Sequence, residues 1–437
     1  MSGAHRAAEH PGSWGRLPLA PPANEYWPVD RAAALPDPPQ AGPTPLLAFG
    51  NGRSYGDVCA NSAGSLVHTR YLDRFIAFDR EHGVLRAEAG VLLDDLIRLV
   101  LPAGWFLPVT PGTCHVTLGG AVANDVHGKN HHRAGTLGGH VRLLELQRST
   151  GECLICGPDQ HAGLFSATVG GLGLTGFIRW VELQLTPVPS AWITVENVRF
   201  EGIAEFLALN RKAETRAEHV VAWIDCLAKR PRGILMAGNH SADSHPPPPL
   251  RAPLAVPFTP PVSAVNHWTL RAFNTAYFHR PLPTRQTVPL RPFFYPLDNL
   301  RDWNRLYGPR GFFQYQCVVP AGHEAALEEI LAAIRDSGEG SFLAVLKTFG
   351  SRPSPGMLSF PREGANLALD FPNRGESTKR LFCRLDAIVA AAGGRLYPAK
   401  DARMPAWLFR QGYPRLSEFA EHIDPGFSSN FWRRMME

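Results

Sequence analysis

The sequence predicts an α+β protein of two domains, and three observations carry that prediction. From Thr44 to Leu185 short apolar strands alternate with glycine-rich loops, with one clearly helical stretch between them. From Phe312 to Tyr397 the pattern reads strand, helix, strand, strand, helix, strand, the order of a split β-α-β (ferredoxin-like) layer. At 437 residues the chain is too long for one ordinary core, and Pro187-Val188-Pro189 breaks the strand pattern where a boundary is needed.

Taken in order, residues 1–43 are rich in Pro, Ala and Gly and read as a loosely held arm that Trp14 and Trp27 can pin to the body. Leu46-Leu47-Ala48-Phe49 is a strand running into a glycine loop, and Ser65-Leu66-Val67-His68 is the strand that follows it. Val91 to Val100 places Leu92, Leu93, Leu96, Leu99 and Val100 at helical spacing, with acids at its start and Gly104 beyond its end. Arg142–Gln147 and Phe177–Leu185 return to strand texture. The boundaries that follow are 44–189 for the first domain, 190–395 for the second, and 396–437 for a tail. Ser241 to Pro261, with the run Pro246–Pro249, reads as an exposed loop or lid.

In the second domain the expected elements are strand Phe312–Val319, helix Glu324–Ser337, strand Ser341–Lys347, strand Asn366–Phe371, helix Ser377–Ala392 and strand Arg395–Tyr397. Helices cover one face of such a sheet, so its other face is a natural roof for a substrate cleft.

Composition narrows the function classes. Hydrophobic residues are 44% and charged residues 19%, which excludes wholesale disorder. A net charge of +5 with no basic block gives nucleic acid no phosphate-tracking strip. Seven cysteines, five of them single in apolar segments (Cys59, Cys114, Cys226, Cys317, Cys383), do not form a disulfide framework. Cys153 and Cys156 lie on a strand, where residues three apart face opposite sides, so they do not form half of a zinc site. The N-terminal region lacks an apolar core behind basic residues, which makes the cytoplasm the expected compartment, with membrane association left open.

Three loops carry the chemistry. Gly50-Asn51-Gly52-Arg53-Ser54-Tyr55-Gly56-Asp57 lets backbone N–H groups approach an anion closely. Pro111 to His132 is dense in glycines, hydroxyls and polar tips (Pro111, Gly112, Thr113, Thr117, Gly119, Gly120, Ala121, Asn124, His127, Gly128, Lys129, Asn130), as a ligand-lining run should be. Gly170 to Gly176 contains G-x-G-x-x-G, but the next segment, Phe177–Leu183, is a strand, so the Rossmann reading fails on context.

In this order and spacing the three loops resemble the FAD-binding (PCMH-type) domain of the vanillyl-alcohol-oxidase superfamily. Gly52–Asp57, Asp125–His132, Ala167–Gly171, Tyr307-Gly308-Pro309, Gln314-Tyr315-Gln316, and Tyr397 with Ala399-Lys400-Asp401 are similar to its lipid-linked-ribose 2'-oxidase branch, over roughly residues 45 to 430. The resemblance implies FAD, with its pyrophosphate in Gly50–Asp57 and Pro111–His127 and Gly171–Ile178 wrapping the rest, including Gly171, Gly176 and Ile178. It further implies a discontinuous FAD domain, to which the chain returns at Tyr397. Where some superfamily members attach FAD through a histidine of the first loop, this chain has Arg53-Ser54-Tyr55, which implies non-covalent FAD.

The implied catalytic residues are Lys400, as a cation at the flavin edge or on the substrate oxygen, and His127, as the base for the hydroxyl proton or a partner of the flavin. Lys129, Gln314, Gln316, Lys347, Asn366 and Asp370 are the implied substrate contacts. The resemblance implies that Tyr55 and Tyr397 lie beside the cofactor. Ala368 departs from the branch, whose best-known members carry cysteine there, and this bears on substrate identity. His127 and His131 are four apart, but Gly128 stands where the zinc-protease pattern needs glutamate, so no metal is expected.

The implied activity is oxidation of the 2'-hydroxyl of a polyprenyl-phosphoryl ribofuranose to a keto sugar, with a short-chain reductase completing an epimerisation and a peripheral membrane contact open. The alternatives are oxidation of a free alditol or aldonolactone, or a binding protein that has lost catalysis. The aromatic residues Trp268, Phe273, Tyr277, Phe278, Phe293, Phe294 and Tyr295 offer either a grip on a lipid tail or ordinary core.

Overall fold

A computed structural model describes residues 12–30, 35, 44–243, 246 and 253–437. Strands β1 (Asn24–Tyr26), β2 (Leu46–Phe49) and β3 (Ser65–His68) form a small parallel sheet in the order β1-β3-β2. A second, antiparallel sheet contains β4 (Phe75–Asp79), β5 (Val84–Glu88), β6 (Val141–Gln147), β7 (Cys153–Cys156) and β8 (Phe177–Gln184), in the order β4-β5-β8-β6-β7. Helices α1 (Leu93–Val100) and α2 (Leu118–Ala123) pack on it through Leu93, Leu96, Ile97, Leu118 and Val122. α1 needs little propensity of its own, because one apolar face buries against the sheet and Asp94 and Asp95 sit at its positive end.

The arm is not loose over residues 12–30. β1 pairs with β3, Trp14 N–H donates to the Ser54 carbonyl at 2.7 Å, and Trp27 stacks on His68 at 3.6 Å. Backbone pairing, this hydrogen bond and the ring contact offset the ordering entropy of that stretch.

The second domain is one eight-stranded sheet. Its strands are β9 (Trp192–Glu201), β10 (His219–Asp225), β11 (Arg232–His240), β12 (Arg285–Pro289), β13 (Phe312–Pro320), β14 (Ala344–Phe349), β15 (Gly364–Pro372) and β16 (Arg395–Leu396). The order is β12-β9-β11-β10-β14-β15-β13-β16. The expected split β-α-β unit is the second half, with α5 (Ala325–Ser337) and α6 (Glu376–Ala391) as its helices. The first half repeats the same order with α3 (Ile203–Glu214) and α4 (His267–His279). The two units join edge to edge, Ala222 opposite Leu346 and Trp223 opposite Val345, which removes an open edge from each.

Alternation along the strands sorts the two faces. Tyr315, Cys317, Leu346, Leu367 and Leu369 meet Leu327, Ile330, Leu331, Leu381, Phe382 and Leu385 of α5 and α6 in one core. Gln314, Gln316, Val345, Lys347, Asn366, Ala368 and Asp370 therefore share the opposite face, with Gln314 paired across to Asp370, Gln316 to Ala368 and Lys347 to Asn366.

The tail then packs against the first domain. Leu46 bridges to Phe427, and α8 (Asn430–Met436, following α7 at Ala406–Gly412) brings Arg434 onto Asp57. All seven cysteines are free: Cys153 is exposed and Cys156 buried, and Cys383 lies on the exposed side of α6 rather than in an apolar layer. Of the expected proline lid, Pro246 is described and accepts a hydrogen bond from Trp192 Nε1, while 247–249 lie outside the described residues.

Candidate active site

The three loops, the polar face of β13–β15 and the start of the tail enclose one cavity of about 480 Å³, within the range of cofactor and substrate sites. Gly50, Asn51, Gly52, Arg53, Ser54 and Tyr55 line it from the first loop, and Pro111, Gly112, Thr113, Thr117, Gly119, Gly120, Asn124 and His127 from the second. Gly176 and Ile178 line it from the third, and Gln314, Gln316, Lys347, Asn366, Ala368, Asp370, Tyr397 and Lys400 complete it. At Gly50 a Cβ would lie 2.5 Å from Thr117 Oγ1, so only glycine lets these two loops close on each other.

Other expected site residues turn away, each held by a specific contact. A Cβ on Gly56 would sit 1.6 Å from the Asp401 carbonyl oxygen, so Gly56 is where the tail crosses the first loop. Asp57 is held bidentately by Arg434 at 2.8 and 2.9 Å. Ala121 is core, and Gly171 is packed on the Ala167 carbonyl. Asn130 donates to the Pro108 carbonyl at 2.8 Å. The Gly128 carbonyl accepts from Lys347 Nζ at 3.0 Å. Lys129, expected on substrate, sits behind the wall with Nζ 4.4 Å from the Phe293 ring centre and bonded to the Phe293 carbonyl; burial lowers its pKa to about 7. None of the seven aromatic residues considered for a lipid grip lines the cavity: Phe293, Phe294 and Tyr295 are core, and Trp268 faces solvent.

The end of the cavity under the polar face of the sheet is a polar network. Gln316 Nε2 donates to Asn366 Oδ1 at 2.8 Å and reaches His127 Nε2 at 3.0 Å. With both amide hydrogens used, His127 Nε2 is an acceptor and the ring proton lies on Nδ1. Burial and the nearby Lys347, His131 and Lys400 keep this imidazole neutral. Gln314 Nε2 donates to Asp370 Oδ1 at 2.5 Å, and burial raises the Asp370 carboxyl well above its ordinary range against the pull of Lys400. Lys400 Nζ lies 3.8 Å from the centre of the Tyr55 ring; burial lowers its pKa while Asp370 opposes that shift. Tyr397 donates its hydroxyl to the Asn124 carbonyl at 2.8 Å and stacks on Phe360.

His131 packs on Phe349, and His132 Nε2 meets the Ala217 carbonyl. Among the described residues Cys114, His115 and Asp298 do cluster, but the Cys114 thiol already donates to Asp298 at 3.2 Å, and the Arg291 guanidinium lies 3.8 Å from the sulfur. Sequence reasoning missed a second side of the cavity: Trp14, stacked 4.1 Å from the Arg53 guanidinium, and Leu297, Asp298, Leu300, Arg301 and Trp303. No local pattern marks that segment; the only hint was the expectation that Trp14 is pinned.

The cavity suits FAD on its own terms. Three backbone-rich loops approach each other through glycines. Among lining residues, Arg53 Nε, Asn124 Oδ1, His127 Nδ1, Asn366 Nδ2 and Asp370 Oδ2 are buried without a protein partner, and buried polar atoms of this kind are normally satisfied.

Comparison with known proteins agrees. The FAD binding domain family matches residues 40–157. The chain is 37% identical over 413 residues to decaprenylphosphoryl-beta-D-ribose oxidase of Mycolicibacterium smegmatis, covering 89% of each chain. It is 34% identical over 369 residues to an uncharacterized protein of Streptomyces coelicolor, covering 79% of this chain and all of that one. Mouse L-gulonolactone oxidase is 31% identical over 144 residues, 32% of each chain. Similarity at this level over 89% of each chain, together with the FAD binding domain match, means that it belongs to the decaprenylphosphoryl-beta-D-ribose oxidase family of FAD-dependent oxidoreductases.

Proposed function

We propose that this enzyme oxidises the 2'-hydroxyl of a polyprenyl-phosphoryl β-D-ribofuranose to the 2'-keto sugar, with FAD held non-covalently and Lys400, Asp370 and His127 as its working residues. The observation that carries this reading is the convergence of Lys400, from the tail, with Asp370 and Gln316, from the sheet, and His127, from the second loop, at one buried end of the cavity. The relative's substrate supplies the sugar and its lipid.

Bound FAD supplies the acceptor for the hydride leaving the carbinol carbon. The hydroxyl proton must leave as well, and Asp370 is placed to take it: Oδ1 is held by Gln314, Oδ2 has no protein partner, and burial has lifted its affinity for protons. Lys400 stabilises the charge that develops on the substrate oxygen and keeps the carboxylate ionised until the proton arrives. His127 presents a neutral N–H, held by Gln316, and orients substrate or cofactor; its Nε2 lone pair is occupied, which moves the base role to Asp370. Lys347, with its pKa lowered to about 7, and the amide of Asn366 complete the sugar contacts. Support for non-covalent FAD is Arg53-Ser54-Tyr55 in the first loop. A short-chain reductase acting on the keto product and a peripheral membrane contact complete this proposal.

The test is anaerobic mixing of the yellow holoenzyme with prenyl-phosphoryl ribose while flavin absorbance is followed. Bleaching by that substrate, and none by free alditols or aldonolactones, supports the assignment. Bleaching by an aldonolactone alone refutes it. A chromophore that stays with denatured protein refutes non-covalent attachment.

A further inference from the structure

We propose that the stretch 254–268 is a docking surface for an anionic lipid bilayer, placed so that the cavity opens toward the membrane. This rests on the lipid-linked reading of the substrate and adds to it the face by which the enzyme meets the lipid.

The four most exposed large apolar side chains among the described residues all fall in this stretch: Leu254 at 75%, Phe258 at 67%, Val262 at 74% and Trp268 at 79%. Single exposed apolar residues are ordinary, but four in one short segment mark an interaction surface. The segment is also fastened to one wall of the cavity. Leu254–Ala255 pairs in parallel with Leu300–Arg301, and Leu300, Arg301, Asp302 and Trp303 line the cavity. Arg305 donates to the Val256 carbonyl at 2.9 Å, and Arg16 to Thr259 Oγ1 at 3.0 Å. A capping box at Asn266 and Thr269 then starts α4, with Trp268 in its first turn.

Charge chooses the occupant. The basic side chains set against this stretch are Arg301, exposed opposite Ala255, Arg305 on the Val256 carbonyl and Arg16 on Thr259, and the acid beside them, Asp302, is paired 3.6 Å from Arg305. Arg271 is exposed on α4, one turn beyond Trp268. Exposed aromatic and aliphatic side chains beside a set of arginines that outnumbers its one neighbouring acid, Asp302, match the headgroup and acyl boundary of an anionic leaflet. A protein partner or a second copy would be met by apolar contact without needing this one-sided charge.

The test is flotation of the holoenzyme with vesicles of phosphatidylglycerol and phosphatidylcholine, and with phosphatidylcholine alone. We expect binding to the anionic vesicles that weakens as salt rises, a loss of about tenfold for each of Phe258→Ser and Trp268→Ser, and of roughly fivefold for Arg271→Glu. These side chains do not line the cavity, so flavin bleaching by a short-chain, water-soluble prenyl-phosphoryl ribose should stay at the wild-type rate, which also reports intact folding. Failure of the wild type to float, equal flotation of the variants, or a dimer that buries this stretch in sedimentation overturns the proposal. If flotation fails while the short-chain substrate bleaches the flavin, the docking surface is wrong and the substrate assignment stands. Flotation without bleaching by any prenyl-phosphoryl ribose refutes the substrate assignment alone.

Discussion

Replacing Lys400 with methionine keeps most of the side-chain volume and removes the charge. Lys400 is buried, lies 3.8 Å from the Tyr55 ring centre, and interacts with Asp370. If its cation acts on charge that develops only as hydride leaves, its loss should resemble loss of one preorganised donor, about 10²–10³ in rate or roughly 2.7–4 kcal/mol. Stability should change much less. Breaking a buried pair ordinarily costs about 3–5 kcal/mol, because the remaining charge is stranded. Here burial has already raised the Asp370 carboxyl well above its ordinary range, so in the variant it can take up a proton near neutrality at small cost. Stopped-flow bleaching under anaerobic conditions, with FAD content and urea denaturation measured on the same samples, separates the two effects. A variant that retains FAD and bleaches within about threefold of wild type refutes the role given to Lys400.

Raised Asp370 and lowered Lys400 should give a bell-shaped rate profile narrower than ordinary carboxylate and lysine values allow: activity falls with acid as Asp370 protonates and with alkali as Lys400 loses its charge, and Asp370→Asn should abolish the acid limb along with most of the rate. Lys347 has a folded pKa of about 7 and a higher unfolded one, so above pH 7 the unfolded chain binds the extra proton and stability rises with pH, by at most about 1.4 kcal/mol per unit; urea denaturation at several pH values should show a shallower rise for Lys347→Met. Arg434→Met leaves Asp57 without its bidentate partner and should cost about 3–5 kcal/mol in chemical denaturation, with weakened FAD retention because the tail braces the first loop. Gly56→Ala forces a Cβ onto the Asp401 carbonyl and should lower the thermal midpoint by more than Gly112→Ala, where a Cβ meets nothing within 4 Å; equal midpoints would show that the tail does not clamp the loop.

What was legible in the sequence is what the backbone dictates locally. The strands Phe312–Val319 and Asn366–Phe371 were legible as strands, and because successive strand residues point to opposite sides, their pairing leaves Gln314, Gln316, Asn366 and Asp370 on one face. Glycines at fixed spacing marked the loops, since only there can the chain approach a ligand or another loop so closely. Tertiary structure alone decided which residues of those loops face inward. Gly128, Lys129, Asn130 and Gly171 share the motifs but are turned away by Lys347, Phe293, Pro108 and Ala167, all distant or unmarked partners. It also decided the duplication of the split unit, which the insertion between β11 and α4 hides in the linear order, and the cavity wall at Trp14 and Asp298–Trp303. A residue's type and its neighbours in sequence limit its chemistry. The direction of its side chain depends on its packing partner, which lies 219 residues away for Gly128 and 22 for Asn130, and no pattern in the motif itself records it.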